Sequence, residues 1–366
     1  MIRQWRDYNL FLLGCVLVLM GFSLAMVYSA TLRDVDTQGY FSRHVINLIV
    51  GGAAMLVLTS VDYNAYRGWV WLFYLSIIAI LVVVLLNGMI SSGAQSWINL
   101  GLRTIQPSEP AKILVIITLA LYWERFEEYQ GSTLVLLGSL ILVGIPLLLI
   151  FMQPDFGTAL VFGTVWLMMA IVAGMRWWQM AGLVVAAGPL GYYGWIHVLQ
   201  DYQRSRLLIF LDPIKYDPDL QYGAWNIIQS LNAVGAGGLM GRGWTLGLVS
   251  QATLPVRYTD FIFAITAEEL GFIGATVLLI FLGLLIWQAY AIAHVARDTF
   301  GKLIAVGIAG MFLCHVLVNV GMNMSIMPIT GIPLPFVSYG GSFSLTSLAA
   351  IGILQSIALR RRKLSF

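Results

Sequence analysis

Three carboxyl side chains stand beside apolar runs and are the first candidates for chemistry in this chain. Asp260 follows a long polar segment, whereas Glu109 and Asp155 each come shortly after a proline. A carboxylate in such a place can act as a general base, but in the first turn of a helix it also stabilises the positive helix end. Both interpretations stay open for Glu109 and Asp155, while the position of Asp260 favours a functional role.

Cations close to these carboxylates indicate a site for an anionic group. Lys112 lies three residues after Glu109, so both side chains fall on one helix face and can form an ion pair. An ammonium inside an apolar run needs a carboxylate or a phosphate to offset its lost hydration. Arg204 and Arg206 stand in the polar segment before Asp260, and a guanidinium binds phosphate through two parallel hydrogen bonds.

The other polar residues within apolar runs are expected to be structural. Glu268 and Glu269 follow Asp260 at helical positions that cannot share one face, and we expect both to be hydrogen-bonded inside the protein. His44 and His315 lack the spacing of metal ligands and are interpreted as packing residues. The two cysteines lie in apolar runs, so neither a disulfide nor a metal site is predicted.

Glycine-rich segments flank the candidate residues. Glycines between positions 235 and 243 are expected to permit tight turns near a ligand. The segment 331–342 contains two prolines and three glycines around Ser338 and precedes an apolar run. Its serine and backbone amides could bind an anion, or the segment could simply turn the chain.

The elements that must position these residues are membrane-spanning helices. Of 366 residues 59% are hydrophobic and 10% charged, far from the roughly 25% charged residues of soluble domains. Apolar runs of about 20 residues recur along the chain, each long enough to cross a bilayer. The scattered basic residues do not form a nucleic-acid footprint, so no nucleic-acid partner is predicted. The predicted spans are 8–29, 44–61, 66–87, 107–123, 132–152, 156–175, 177–199, 260–291, 303–325 and 336–359.

The even number of spans predicts that both termini lie on one side of the membrane. The basic cluster 360–363 marks that side as cytoplasmic. The fourth, sixth and eighth spans would then begin at the outer face, where their dipoles favour anionic headgroups. The prediction is an all-α integral membrane protein with a single polytopic domain, 1–366. Its large extracytoplasmic loop, 200–259, lies between helices 7 and 8 and is expected to be ordered, whereas 87–106 is expected to lie at the membrane interface.

Five motifs in order carry a family resemblance over nearly the whole chain. Together they resemble the SEDS (shape, elongation, division and sporulation) family. Segments 221–244 and 331–336 are similar to its elongation type, RodA, more than to its division type, FtsW. The motifs are QPSEPAK at 106–112, QPDFGT at 153–158, DYQRSR at 201–206 with LDP at 211–213, TDFIFA at 259–264 with EELG at 268–271, and PLPFVSYGGS at 333–342.

The resemblance implies the ten-helix SEDS fold and a glycosyltransferase. Such an enzyme joins lipid II into glycan strands on the outer face of the bacterial cytoplasmic membrane during elongation. Its partners would be a class B penicillin-binding protein and other membrane proteins of the elongation complex. Asp260 matches the family's essential aspartate, and Glu109 and Lys112 match its important pair. Val256 and Tyr258 stand where the family often has Glu and His, which puts a base relay there in doubt.

The mechanism expected from these residues has Asp260 as general base on the acceptor hydroxyl. The polyprenyl pyrophosphate leaving group needs cations, and a divalent ion such as Mg²⁺ or Mn²⁺ could help although no dedicated metal site is visible. Two alternatives stay open: a lipid flippase or transporter that uses charged residues at membrane depth, and a scaffold that activates a partner synthase. The predicted substrate-binding residues are Gln106, Glu109, Lys112, Arg204, Arg206 and Ser338.

Overall fold

A computed structural model describes residues 7–32, 37, 39–91, 94–99, 104–197, 199–220, 223–249, 254 and 257–361. Within these ranges the chain is mainly helical, and two short 3-10 helices, Tyr63–Gly68 and Glu127–Tyr129, lie in connections. The α-helices are α1 (Leu10–Thr31), α2 (Tyr40–Ser60), α3 (Val70–Asn87), α4 (Ser108–Arg125), α5 (Thr133–Met152), α6 (Phe156–Val172), α7 (Trp177–His197), α8 (Asp201–Leu211), α9 (Pro213–Tyr216), α10 (Ala224–Ala236), α11 (Ile262–Val295), α12 (Thr299–Asn323) and α13 (Gly341–Leu359).

Ten of the helices in this described part correspond to the ten predicted spans, with ends that differ by at most five residues. Seven of them, α1, α2, α3, α5, α11, α12 and α13, are long and apolar enough to cross a membrane. The apolar α6 has 17 residues, α4 carries buried charges, and α7 is rich in glycine and aromatic residues. The predicted class, an all-α integral membrane protein, is confirmed.

The centre of the bundle is α12, which packs against α4, α6, α10 and α11. Nearly all of its side chains are buried, and small residues let neighbouring helices approach. A Cβ on Gly307 would lie 2.6 Å from Ile116 of α4 and 2.8 Å from Met169 of α6. Because α12 is enclosed by protein, its polar side chains must find their partners inside the bundle.

The helix α11 is interrupted at Gly271, whose φ of 68° and ψ of −168° are not helical. The glycine-containing segment 237–243 lies against this interruption, and the amide of Arg242 donates to the carbonyl of Glu268 at 2.9 Å. A Cβ on Gly241 would come within 2.2 Å of the carbonyl oxygen of Glu269. The glycines predicted to serve a ligand therefore allow close backbone packing against α11, which sequence spacing does not reveal.

Glu268 and Glu269 hold the same region together, in line with their predicted structural role. The carboxylate of Glu268 accepts from the amides of Leu248 and Val249, both at 2.8 Å. The carboxylate of Glu269 accepts from the hydroxyl of Ser29 on α1 at 2.5 Å. Their hydrogen bonds connect α11 with α1 and with the chain that follows α10.

The segment predicted to be interfacial forms a small antiparallel sheet between α3 and α4 within the mainly helical fold. Strands β1 (Met89–Ser91), β2 (Ala94–Asn99) and β3 (Thr104–Ile105) pair in the order β1-β2-β3. Met89 pairs with Trp97, and Ile98 pairs with Ile105. Such short strands give little periodic signal, and their pairing depends on the contact of β2 with α3.

In its described residues, the long connection between α7 and α11 contains three helices, α8, α9 and α10. Ile209, Ala224 and Ile227 form a local apolar cluster. The hydroxyl of Ser230 donates to the carbonyl of Asn323 at 2.9 Å and ties α10 to α12. By contrast, Gln179 is the only buried residue of α7.

Candidate active site

Asp260 lies in the turn before α11 and is half-buried. Its backbone carbonyl accepts two hydrogen bonds, from the amide groups of Asn319 at 3.0 Å and Asn323 at 2.9 Å. The side-chain oxygen of Asn323 in turn accepts from the amide of Ala264 at 3.2 Å. The two asparagines of α12 therefore fix the backbone that carries the carboxylate.

Ser338 supports the same turn from the other side. Its hydroxyl donates to the carbonyl of Thr259 at 2.6 Å and accepts from the amide of Leu334 at 2.8 Å. The side chain is 1% exposed, so the hydroxyl is used inside the protein. Ser338 is predicted from sequence as a substrate contact, whereas this geometry gives it a positioning role beside Asp260.

The environment of Asp260 suits a group that exchanges protons near neutral pH. Burial raises the pKa of the Asp260 carboxyl from its ordinary value of 3.8 to about 6. A hydrogen bond with Thr259 and the positive charge of Arg206 act in the opposite direction and lower this pKa. A base with such a pKa is mostly ionised at pH 7 and still accepts a proton readily.

A groove lies between α8 and the segment that follows α12. One wall is the face of α8 that carries Gln203, Arg206 and Leu207, and the opposite wall includes the segment 328–330. The next residue, Gly331, has a φ of +72°, and a Cβ on it would lie 3.6 Å from the Asp260 carboxylate. The groove therefore brings the Arg206 guanidinium and the Asp260 carboxylate to one region.

Arg204 and Arg206 differ in direction although both belong to α8. Arg204 donates to the carbonyl of Ile196 at 2.9 Å and lies 3.6 Å from the carboxylate of Asp201. Arg206 lines the groove and acts on the pKa of Asp260. Of the two predicted arginines, the structure brings Arg206 towards Asp260 and ties Arg204 to the end of α7.

Gln106 lies beside the start of α6. Its amide group donates to the carboxylate of Asp155 at 3.1 Å, and its backbone amide donates to Ser342 at 3.1 Å. Asp155 also accepts from the amide of Thr158 at 3.0 Å, which makes it the cap of α6. The capping interpretation of Asp155 is confirmed, and Gln106 links α6 and α13 next to the groove.

Glu109 and Lys112 form the predicted ion pair, fully inside the bundle. The ammonium lies 2.9 Å from both carboxylate oxygens, and the two side chains are 4% and 1% exposed. The ammonium is also 3.1 Å from Nε2 of His315 and 5.6 Å from the ring centre of Phe343. His315, which the sequence indicates only as a packing residue, is therefore a partner of Lys112.

No group of three or more His, Cys, Asp or Glu residues that could hold a metal ion is present in the described ranges. The residues of the groove therefore do not fit a dedicated metal site. A divalent cation at this place would need most of its ligands from a bound phosphate group and from water.

Comparisons with known proteins agree over almost the whole chain. The family model described as a cell cycle protein, FtsW/RodA/SpoVE, matches residues 8–363. The peptidoglycan glycosyltransferase MrdB of Escherichia coli (strain K12) is 38% identical over 352 residues, which are 96% of this chain and 93% of that protein.

Two solved structures have the same fold. A chain from a study of how a peptidoglycan synthase complex coordinates polymerization and crosslinking has a TM-score of 0.82 and 29% identity, covering 97% of this chain and 98% of its own. The rod shape determining protein RodA of Thermus thermophilus has a TM-score of 0.73 and 26% identity, covering 98% and 99%.

Proposed function

Because the chain belongs to the FtsW/RodA/SpoVE family, we propose that it is a peptidoglycan glycosyltransferase that polymerises lipid II during cell elongation. The similarity to the E. coli glycosyltransferase MrdB along the whole chain supports this activity. The observation that carries the proposal is the Asp260 carboxylate, with a pKa of about 6, beside the wall of a groove lined by Arg206.

In the proposed reaction Asp260 acts as general base. Its carboxylate accepts the proton of the acceptor sugar's 4-hydroxyl while that oxygen forms a bond to the anomeric carbon of the donor. The bond between the anomeric carbon and the phosphate oxygen breaks, and its electron pair leaves with the polyprenyl pyrophosphate. The two asparagines that hold the Asp260 carbonyl keep the carboxylate in place during this step.

Arg206 is the proposed binding group for the pyrophosphate. It lines the groove next to Asp260, and its guanidinium can donate two parallel hydrogen bonds to a phosphate. Negative charge grows on the leaving group as the bond breaks, so a fixed cation there stabilises the transition state more than the bound substrate. Lys112 has its partners inside the protein and would act on the groove from behind its wall.

The proposed location is the bacterial cytoplasmic membrane, with both termini in the cytoplasm and the groove at the outer face. Support comes from the basic C-terminal end of α13, where Arg360 and Arg361 are paired with Asp62 and Asp7. The proposed partners are a class B penicillin-binding protein and other membrane proteins of the elongation complex. The similarity to a chain of a peptidoglycan synthase complex supports such a partner.

Gel analysis of purified protein with labelled lipid II in detergent tests the proposal. Glycan strands should form with the wild-type protein and should be absent with Asp260→Asn. A flippase would produce no strands in detergent, because transport requires two compartments. A scaffold would form no strands alone. With the partner synthase present, strands would form even when Asp260 is replaced. Chelation of divalent ions in the same assay tests the proposed contribution of Mg²⁺ or Mn²⁺ to pyrophosphate binding.

A further inference from the structure

Three polar side chains follow one face of the otherwise apolar helix α12. His315, Asn319 and Asn323 are spaced by four residues and are all 1% exposed or less. Each polar side chain on this face is buried, so it persists in the fold only if its donors and acceptors are paired. We call these three residues the α12 stripe.

The two ends of the α12 stripe contact two different groups, a backbone carbonyl and an ammonium. Asn319 and Asn323 donate to the backbone carbonyl of Asp260. His315, two turns earlier, lies 3.1 Å from the ammonium of Lys112 on α4. A single rigid helix therefore sets the separation between the Asp260 backbone and the Lys112 ammonium.

The hydrogen bonds of His315 determine which ring nitrogen carries the proton. Nδ1 lies 3.0 Å from the carbonyl oxygen of Pro333, which can only accept, so Nδ1 must carry a hydrogen. Nε2 faces an ammonium, which can only donate, so Nε2 must be an unprotonated acceptor. The pattern of partners thus requires a neutral imidazole with its hydrogen on Nδ1.

The segment that forms the groove wall is held by the same helix. The carbonyl of Ile332 accepts from Asn319 at 2.8 Å, directly before Pro333, whose carbonyl accepts from His315. Gly331, the residue next to the Asp260 carboxylate, precedes these two anchored residues. A change at His315 would therefore reach both the ammonium of Lys112 and the wall beside Asp260.

We propose that the α12 stripe is a positioning element, in which His315 holds the Lys112 ammonium through Nε2 and the groove wall through Nδ1–H. Its consequence for catalysis rests on the proposed glycosyltransferase function. His315 itself touches no substrate in this proposal. It keeps the Lys112 charge at a fixed distance from Asp260, and small displacements of groups around a reacting centre reduce rates strongly.

The tautomer can be measured without any assay of activity. Protein labelled with ¹⁵N-histidine contains four histidines, at positions 44, 197, 294 and 315, and the His315→Gln variant identifies the signal of His315. We expect a protonated Nδ1, an unprotonated Nε2, and a shift of the Nε2 resonance towards that of a free nitrogen in Lys112→Met. A charged ring, a hydrogen on Nε2, or no response to Lys112→Met would overturn the proposal.

Three substitutions of one residue then test the catalytic consequence. The amide group of glutamine lies where Nε2 of the histidine lies, and the amide group of asparagine lies where Nδ1 lies. Phenylalanine keeps the shape of the ring but has no polar atom. We expect His315→Gln to retain most of the wild-type turnover and His315→Asn and His315→Phe to lose about tenfold or more in kcat, with little change in KM.

Thermal unfolding of each variant separates folding from positioning. Equal losses in the glutamine and asparagine variants, or a fully active phenylalanine variant, would contradict the proposal. In a Lys112→Met background the phenylalanine change should lower kcat less than it does in the wild type, because only the contact with Pro333 remains to be lost, whereas an independent structural role would lower it equally in both backgrounds. If the wild-type protein forms no glycan strands, the proposed function fails, while the tautomer measurement still decides whether His315 holds Lys112.

Discussion

Two carboxylates of this protein, Asp260 and Glu109, have opposite surroundings. Glu109 is buried with the ammonium of Lys112 at 2.9 Å from both of its oxygens. Asp260 is half-buried beside the wall of a groove, and the charge of Arg206 only partly offsets the effect of burial on its pKa. The carboxylate of Glu109 has its partner cation inside the protein, whereas that of Asp260 lies where it can contact a molecule bound in the groove.

The largest expected effect in this comparison is that of Asp260→Asn. Loss of a general base reduces turnover by about 100- to 10,000-fold, so strand formation from lipid II should fall to background. Because burial disfavours the charged carboxyl, the neutral amide should leave the unfolding temperature unchanged or higher. Asp201→Asn is the matched control, since the Asp201 side chain is fully exposed and should not be needed. An active Asp260→Asn protein would exclude the general-base role.

Arg206→Gln should have the next largest effect. Removing a cation that stabilises the leaving group should lower kcat by about a hundredfold while the protein remains folded. Arg204→Gln provides the control on the same helix, because its guanidinium is bound to the carbonyl of Ile196 and not directed into the groove. Steady-state kinetics of both variants measure the difference. Equal losses in kcat would contradict the assignment of the leaving-group contact to Arg206.

Glu109→Gln should affect stability more directly than chemistry. It leaves the buried Lys112 ammonium without its counter-charge, and breaking such a pair costs about 3 to 5 kcal/mol. The double variant Glu109→Gln with Lys112→Met should recover part of this loss, since no unpaired charge remains. Thermal unfolding in detergent gives the comparison. A single variant as stable as the wild type would show that the pair is not essential to the fold.

The smallest expected effect is a change in pH dependence. Because the base must be ionised, kcat/KM should fall as the pH decreases through about 6, the pKa of the Asp260 carboxyl. Arg206 lowers this pKa, so the inflection should move to higher pH in Arg206→Gln. A profile measured on lipid II at fixed ionic strength tests both statements, and a flat profile between pH 5 and 8 would contradict the assignment.

The spans of the fold were predictable because a bilayer imposes length and apolar composition on each helix. The ion pair of Glu109 and Lys112 was also predictable, since both groups belong to one helix and their spacing determines their contact. The groove and the contacts between helices could not be predicted from the sequence. Arg204 and Arg206 look equivalent in sequence, and only the orientation of α8 separates them.

His315 is a second example of contacts that could not be predicted from the sequence. Its partners are Lys112 on α4 and Pro333 after α12, and neither contact follows from the spacing of residues along one element. The small sheet at Met89–Ile105 was missed because strands of two to six residues carry too little alternation to be recognised. The sequence thus predicted the span of each helix and the contacts within one helix, but not the contacts between helices.

The single buried residue of α7 has a consequence for the evolution of this chain. Gln179 donates to the carbonyl of Gly131 and fixes the start of the helix, while the side chains beyond it have few protein contacts to preserve. Selection on α7 should therefore act on its apolar character and not on individual side chains, so its sequence can drift freely among apolar residues. In α12, where nearly every side chain is enclosed, the same drift would be removed at almost every position.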